Sequence, residues 1–389
     1  MTIFTRTFHT VGQGAFYSEN INIDEKRVFR MIYDCGSTSL SQSDLTKRIK
    51  SDFADDTTVD ILFISHFDKD HINGIHNIKP KIVVIPFLSD DQIFLLKLYN
   101  EIFGETYDVG LAENPTDFFP EALQTIRIFP STDNLNEENI QEGITIDIND
   151  EFIGGRQRKH NIQSCSPITI TDRSFIRKHN PIWEYIPYNP NWDIFADEFK
   201  FAVKKEGLDW YKLTAPLNAG YIEKHFSVIK NIYNNLKSKN LHSLVVYSNA
   251  IADICIPVYL CRNCLPLNFK CLHFNRHRIH SGCIYFGDAT IEPTWINSFY
   301  RYLKHTNRLY KIGTLQVPHH GSYLSNGQHI ISSEYPFGDF VVCIISVGEF
   351  NHFGHPSLHI VQELQRKGGI VFMVTEASSS LFHSEGYID

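Results

Sequence analysis

Residues 61–74 read Ile-Leu-Phe-Ile-Ser-His-Phe-Asp-Lys-Asp-His-Ile-Asn-Gly, an apolar run that stops abruptly on four potential metal ligands within six positions. A short continuous apolar run bounded by polar residues reads as a strand buried on both faces. A tight loop leaving such a strand points alternate side chains into one cleft. His66 and Asp68 are therefore placed to share one metal, and Asp70 and His71 to serve a neighbouring position. Imidazole combined with carboxylate suits zinc, manganese or iron. Gly74 lets the chain turn beneath the site. The competing reading is a solvated acidic turn with two unrelated histidines; so dense a cluster directly after a buried strand argues against it.

The same punctuation recurs along the chain. Apolar runs at 28–33, 82–87, 244–247, 283–286, 315–317, 340–347 and 370–374 are expected as strands. Helical spacing links Ile222, Phe226, Ile229, Tyr233 and Leu236, and again Leu358, Val361 and Leu364. Gly368 closes the second helix, and Pro356 fits its first turn. Strands at both ends with helices between predict a layered α/β sandwich. Residues 88–242 and 248–280 break the rhythm. They are expected as two insertions into a single domain spanning 1–389, the first a cap or substrate region, the second Cys/His-rich.

Composition narrows the class. With 42% hydrophobic and 21% charged residues, the 389-residue chain can bury a large core, which excludes global disorder. No apolar run is long enough for a transmembrane helix, and the N-terminus carries no secretion-type apolar segment, so a cytoplasmic location without membrane contact is expected. Eight cysteines without a secretion signal are expected to be reduced thiols. The net charge of −8 excludes a bulk basic footprint, but not a local basic groove.

Three later segments supply further ligands at strand ends. Gly287-Asp288 places a carboxylate able to bridge two metals; Pro318-His319-His320-Gly321-Ser322 adds imidazole; Asn351-His352-Phe353-Gly354-His355-Pro356-Ser357 opens the last helix, whose N-terminus favours an anion. Singly, a strand-end Asp or His is more often a turn or cap residue. Their order is what gives them weight.

That order resembles the metallo-β-lactamase-fold hydrolases, and within them the hydrolase domain of competence DNA-uptake channel proteins and its soluble relatives. The matches run from Val11-Gly12-Gln13-Gly14 and Asp34-Cys35-Gly36, through His66, Asp68, Asp70 and His71, then Asn240, Ser243, Leu244 and Val245. They continue through Gly287-Asp288 and residues 318–322 to Ser346-Val347-Gly348 and Gly354-His355-Pro356. The resemblance implies a four-layer αββα sandwich with a metal centre at the rim between its sheets. It implies metal ligands at His66, Asp68, Asp70, His71, Asp288, His319 and His320. Departures are Ala15, where the branch commonly has Asp, and Asp68, where the superfamily usually has His. The superfamily's third metal-binding His has no clear counterpart, with His160, His179, His225 and His242 as candidates.

The expected activity is metal-dependent phosphodiester hydrolysis, a nuclease first, using one or two divalent ions (zinc or manganese) that lower the pKa of water toward ~7. Asp70, His320 and His355 are the candidate catalytic residues, and Ser322 and Asn351 the candidate substrate contacts. The alternative is a hydrolase of a small phosphodiester or ester of cyclic nucleotide, phosphorylcholine or lactone type. A protein partner in a defence system is a further expectation. Cys261, Cys264, Cys271 and His273 form a candidate structural zinc site, weighed against reduced thiols in a hairpin. Basic stretches at 156–160, 173–179 and 301–311 are candidate polyanion contacts, weighed against solvated faces.

Overall fold

The computed structural model of the chain describes residues 2–23, 26–104, 107–131, 143–147, 158–171, 181–190, 193–215, 218–235, 243–251, 255–256, 279–332 and 341–388. Each expected apolar run lies on a strand. In chain order the strands are β1 (Thr2–Phe8), β2 (Phe16–Ile23), β3 (Lys26–Cys35), β4 (Thr58–Phe63), β5 (Lys79–Pro86), β6 (Gln124–Phe129), β7 (Ile144–Asp147), β8 (Arg158–Gln163) and β9 (Ile168–Thr171). Then follow β10 (Trp183–Tyr188), β11 (Val245–Ala250), β12 (Cys255–Ile256), β13 (Ile279–His280), β14 (Gly282–Tyr285), β15 (Ile312–Gln316), β16 (Val341–Ser346), β17 (Gly369–Val374) and β18 (Phe382–Ile388). One sheet has the order β18-β1-β2-β3-β4-β5-β6-β8, and the other β17-β16-β15-β14-β11-β10-β9-β7.

Each sheet is part antiparallel and part parallel. β1 to β3 form a meander, after which β3, β4, β5, β6 and β8 run parallel. In the second sheet β14 to β17 run parallel. Parallel neighbours need crossovers, and helices supply them. Gln42–Asp52 joins β3 to β4, Asp90–Phe103 lies between β5 and β6, Pro293–His305 joins β14 to β15, and Leu358–Arg366 joins β16 to β17.

Alternation along the strands sorts the side chains into layers. Met31, Tyr33, Ile61, Phe63, Ile82 and Val84 face Trp183, Tyr185, Val246, Tyr285, Val342 and Ile344 in a core between the sheets. The intervening Ile32, Leu62, Val83 and Ile85 pack outward on Leu45, Ile49 and Leu96 of the crossover helices. On the opposite face Tyr247, Ile284, Leu315 and Ile345 meet Trp295, Phe299, Ile360 and Leu364. The layers run helix, sheet, sheet, helix, the expected αββα sandwich. At roughly 1.5–3 kcal/mol per fully buried large apolar side chain, burial of both strand faces is the dominant favourable term.

A charged pair crosses this apolar slab. Arg6 and Glu19 are cross-strand partners on β1 and β2, each about 1% exposed. Arg6 Nε donates to Glu19 Oε1 at 2.7 Å and Nη1 to the Ser281 carbonyl at 2.9 Å. Glu19 also accepts from Tyr285 (2.9 Å), Tyr185 (3.2 Å) and Ser248 (2.6 Å), all on the second sheet.

Several expectations shift. Residues 88–242 do not simply interrupt the core, because β6 to β10 lie inside that span and extend both sheets. β10 was hard to read because Glu184 and Pro187 sit in a wholly buried strand. Its carboxylate is matched by Arg308, with Nε and Nη2 donating at 2.8 and 2.7 Å. What stands off the sandwich is helical. Asp193–Lys205, Trp210–Thr214, Ala219–Lys224 and Phe226–Asn235 pack around Phe199, Leu213 and Tyr233 against Leu95, Leu98 and Ile102. The helix expected across 222–236 is two, broken at His225. Pro356 precedes the N-cap Ser357 rather than entering the first turn. The candidate zinc ligands Cys261, Cys264, Cys271 and His273 lie outside the described residues, as do His179, His242 and the 173–179 stretch. Among the described residues Cys35, Cys165, Cys283 and Cys343 are free and buried, and no helix is long and apolar enough to cross a membrane.

Candidate metal centre

The carboxyl ends of parallel strands from both sheets converge on one rim, the usual place for a site in such sheets. β3 carries Asp34 next to its last residue, β4 leads into Ser65 and His66, β14 into Gly287-Asp288, and β15 into His319 and His320. The far-separated segments therefore meet. His66, His71 and Asp288 each offer one ligand atom within 4.8 Å of the others, and so do Asp70, His71 and His320. The two groups share His71.

The loop carrying these ligands is held by close backbone packing. Ala15 N–H donates to the Asp70 carbonyl at 3.2 Å, and Gly74 N–H to the Cys35 carbonyl at 2.8 Å. A Cβ at Gly36 would lie 2.5 Å from the Asp70 carbonyl, so only glycine allows this approach. The Val11-Gly-Gln-Gly turn and the Asp-Cys-Gly strand end thus support the ligand loop. On the second sheet Gly287, at φ +56°, brings its backbone against Ser65, where a Cβ would sit 2.7 Å from Ser65 Cβ. His319 and His320 are consecutive residues at φ +50° and +54°. Left-handed backbone costs an L-residue roughly 1–2 kcal/mol. Hydrogen bonds from His319 N–H to Gly287 O and from Ser322 N–H to His319 O offset part of it.

Hydrogen bonds from behind decide which edge of each imidazole faces the cleft. Ser65 Oγ donates to Asp34 Oδ2 at 2.6 Å, leaving its lone pairs to accept from His66 Nδ1 at 2.8 Å. Asp34 Oδ2 accepts from His71 Nδ1 at 2.8 Å, and the Ser346 carbonyl from His320 Nδ1 at 2.9 Å. All three Nε2 atoms are left toward the cleft, the arrangement of metal-ligating histidines. His66 Nε2 is buried with no hydrogen-bond partner among the described residues. His71 Nε2 lies 3.1 Å from Asp288 Oδ1, and His320 Nε2 3.2 Å from Asp70 Oδ2.

The electrostatics fit a divalent cation. Burial pushes the His66 ring down to about 3, with His71 adding to the effect, so it is neutral and its Nε2 lone pair is available. Burial also disfavours charge on His71, but Asp288, Asp70 and Asp34 outweigh it and hold the ring well above its usual value. That proton supplies positive charge where three carboxylates need it. Burial, with Asp70 second, pushes the Asp68 carboxyl up to about 8. The donor set therefore suits a divalent ion, which would relieve the carboxylates that a single proton leaves crowded.

Other expected residues are placed differently. Asp68 is absent from both ligand groups; it N-caps the helix Lys69–Ile72, accepting from Lys69 N–H at 2.7 Å. His319 is in neither group, its Nε2 3.7 Å from Asp288 Oδ2. His355 is half-buried, with its ring 5.7 Å from that of His319. Burial and the neighbouring imidazoles push it down to about 4. Asn351 closes its own loop: Nδ2 donates to the Gly348 and His355 carbonyls, and Oδ1 accepts from His355 N–H. Ser322 is buried. Asp34, Ser65 and Ser243 were not expected as site residues. Ser243 Oγ accepts from Asp288 N–H at 2.9 Å and lies 3.3 Å from His66 Nδ1. Asp34 stood in a quoted motif, but nothing in the sequence marked its role.

The layering is that of a metallo-β-lactamase-like sandwich. No protein-family model matches the chain, and no curated protein matches it. Among solved structures the chain is similar to a long form RNase Z from yeast, at 9% identity and a TM-score of 0.31. The similarity covers 97% of this chain and 38% of that one, so the chain spans under half of that protein's length.

Proposed function

We propose that this chain is a metal-dependent hydrolase of phosphodiester bonds, acting on nucleic acid. One observation carries the reading: two His/Asp groups that share His71, with every cleft-facing Nε2 held in place from behind. His66, His71 and Asp288 would hold one ion, and Asp70, His71 and His320 define a second, overlapping position. When bound, a divalent ion lowers the pKa of water and polarises a phosphoryl oxygen. Asp70, on the ligand loop beside His320, orients the attacking water by accepting its proton. His355 is neutral at pH 7 and can donate to a phosphoryl oxygen from the cleft edge. The N-terminus of Leu358–Arg366 follows directly and favours the same negative charge.

A small phosphodiester is the second reading, favoured by the net charge of −8 and by Arg308, which is committed to Glu184 and so unavailable to a polyanion. The test is incubation with manganese or zinc and labelled single-stranded DNA, duplex DNA, RNA, or bis-(p-nitrophenyl) phosphate. Cleavage of a strand that is lost in Asp70→Ala and His71→Ala supports the nuclease. Turnover of the small diester alone selects the second reading, and no turnover of any diester overturns both.

A further inference from the structure

The large apolar side chains most exposed to solvent are unevenly spread. Tyr211 (84% exposed) and Phe201 (71%) stand on the helices off the sandwich, but Phe350 (88%), Phe353 (69%), Leu358 (68%), Tyr323 (60%) and Leu324 (69%), half of the exposed large apolar side chains among the described residues, fall in the two segments 323–324 and 350–358 that flank the paired histidines and His355. Exposing several large rings beside one site is unfavourable unless something covers them. Their geometry ties them to the chemistry. The Phe353 ring stacks on His355, with centroids 5.8 Å apart and planes 14° apart. His355 in turn lies 5.7 Å from His319, whose Nε2 is 3.7 Å from Asp288. Two ring contacts therefore lead from the ligand cluster to an open aromatic face. Tyr323, directly after the paired-histidine turn, packs on His359.

The two loops are fastened to each other. Ser357 N–H donates to the Gly321 carbonyl at 2.9 Å. A Cβ on Gly321 would lie 2.7 Å from Pro356 Cβ, so the loops are in direct contact. The aromatic face is therefore fixed relative to His319 and His320. Residues 349–359 contain no Lys or Arg, and Glu349 lies among them. A partner drawn by charge alone finds little here; one with flat aromatic faces finds much.

We propose that Phe353, with Phe350 and Tyr323, forms a shelf on which bases of a single-stranded nucleic acid stack as the adjoining phosphodiester enters the metal centre. This rests on the phosphodiesterase reading and names its substrate as a strand with unpaired bases. Every base has a π-face, so such a shelf is tolerant of sequence. It also selects against duplex, whose bases are already stacked on each other.

The test is anisotropy of a labelled single-stranded oligonucleotide binding to the full chain in chelator, beside an abasic strand of equal length. Phe353→Ala is expected to weaken the base-bearing strand about 5- to 150-fold and to leave the abasic strand unchanged. Phe353→Trp is expected to keep tight binding and Phe353→Leu to lose it. The loss should persist at high salt, because stacking releases few counterions. Unchanged binding by Phe353→Ala, full rescue by leucine, or equal weakening of the abasic strand overturns the shelf; leucine rescue would instead mark a surface for another protein. A wild-type chain that binds no strand overturns it too. Cleavage of the abasic strand with manganese reports separately on the phosphodiesterase reading, so either idea can fail alone.

Discussion

His71 Nδ1 donates to Asp34 Oδ2 across 2.8 Å, and this buried bond joins the histidine shared by both candidate groups to the end of β3. The carboxylate touches neither the cleft nor solvent. Its role is to fix the tautomer and the tilt of the ring. Asp34→Asn should keep the shape and reverse the hydrogen-bond sense, since the amide nitrogen donates. Ion affinity is expected to fall about 10- to 100-fold. Competition against a chromophoric chelator measures it, with circular dichroism confirming the fold; unchanged affinity would remove Asp34 from the site.

Gly287 turns at φ +56° against Ser65. Gly287→Ala combines a disfavoured backbone with a clash at 2.7 Å, and is expected to cost about 1–3 kcal/mol. Urea unfolding should show a lower midpoint, and ion retention should fall with it because Asp288 is the next residue. An unchanged midpoint would mean that the two sheets do not need this close approach.

An ion that binds only the folded chain stabilises it by mass action. Manganese or zinc at a hundred times its dissociation constant should add about 2.7 kcal/mol, read as a rise in Tm. His66→Ala and His71→Ala should abolish most of that rise. If both variants respond like the wild type, the ion binds elsewhere.

Removing one member of a buried ion pair leaves the other uncompensated. Arg6→Met is expected to cost about 3–5 kcal/mol, since Glu19 remains in the inter-sheet core with only hydroxyl partners. Adding Glu19→Leu should recover much of the loss. Denaturant titration of both variants decides the matter, and a double variant no better than the single would contradict it.

His383 on β18 bonds Thr7 Oγ1 through Nδ1 at 2.9 Å, and burial holds its ring below the usual 6.5. The unfolded chain therefore takes up this proton first as pH falls. Stability from this group is full above 6.5 and declines as pH drops from there through the lower folded value. His383→Gln should flatten that part of the profile relative to wild type in chelator. Equal acid slopes for the two proteins would assign the loss to other groups.

How much of this was legible depended on where each residue's partners lie. β16 is legible because it buries both faces and runs Val-Val-Cys-Ile-Ile without a polar interruption, and β4 only in its fully buried second half, Ile61–Phe63. β10 is not, because Glu184 is balanced by Arg308, 124 residues away in sequence. The candidate ligands His66, Asp70 and His71 stand out by local density in the sequence, and Asp288 and His320 by their strand-end positions. Asp68 stands in the same dense run; its Oδ1 caps a helix by accepting from Lys69 N–H, and it belongs to neither His/Asp group. Asp34, Ser65 and Ser243 act from behind the ligands, where a single Asp or Ser carries no pattern. Asn351 seemed poised for substrate, whereas its amide is consumed by backbone within four residues.

The Arg6–Glu19 pair bears on the metal centre without approaching it. His66, Asp70 and His71 ride on one sheet, and Asp288 and His320 on the other, so the cavity exists only when the sheets are in correct alignment. Greasy surfaces alone tolerate sliding. A slip of one strand residue is about 3.3 Å, far beyond the ~0.2 Å within which coordination distances must fall. Glu19 finds its three hydroxyls, and Arg6 its carbonyl, in a single alignment, so this ionic key favours the register in which the two half-cavities meet.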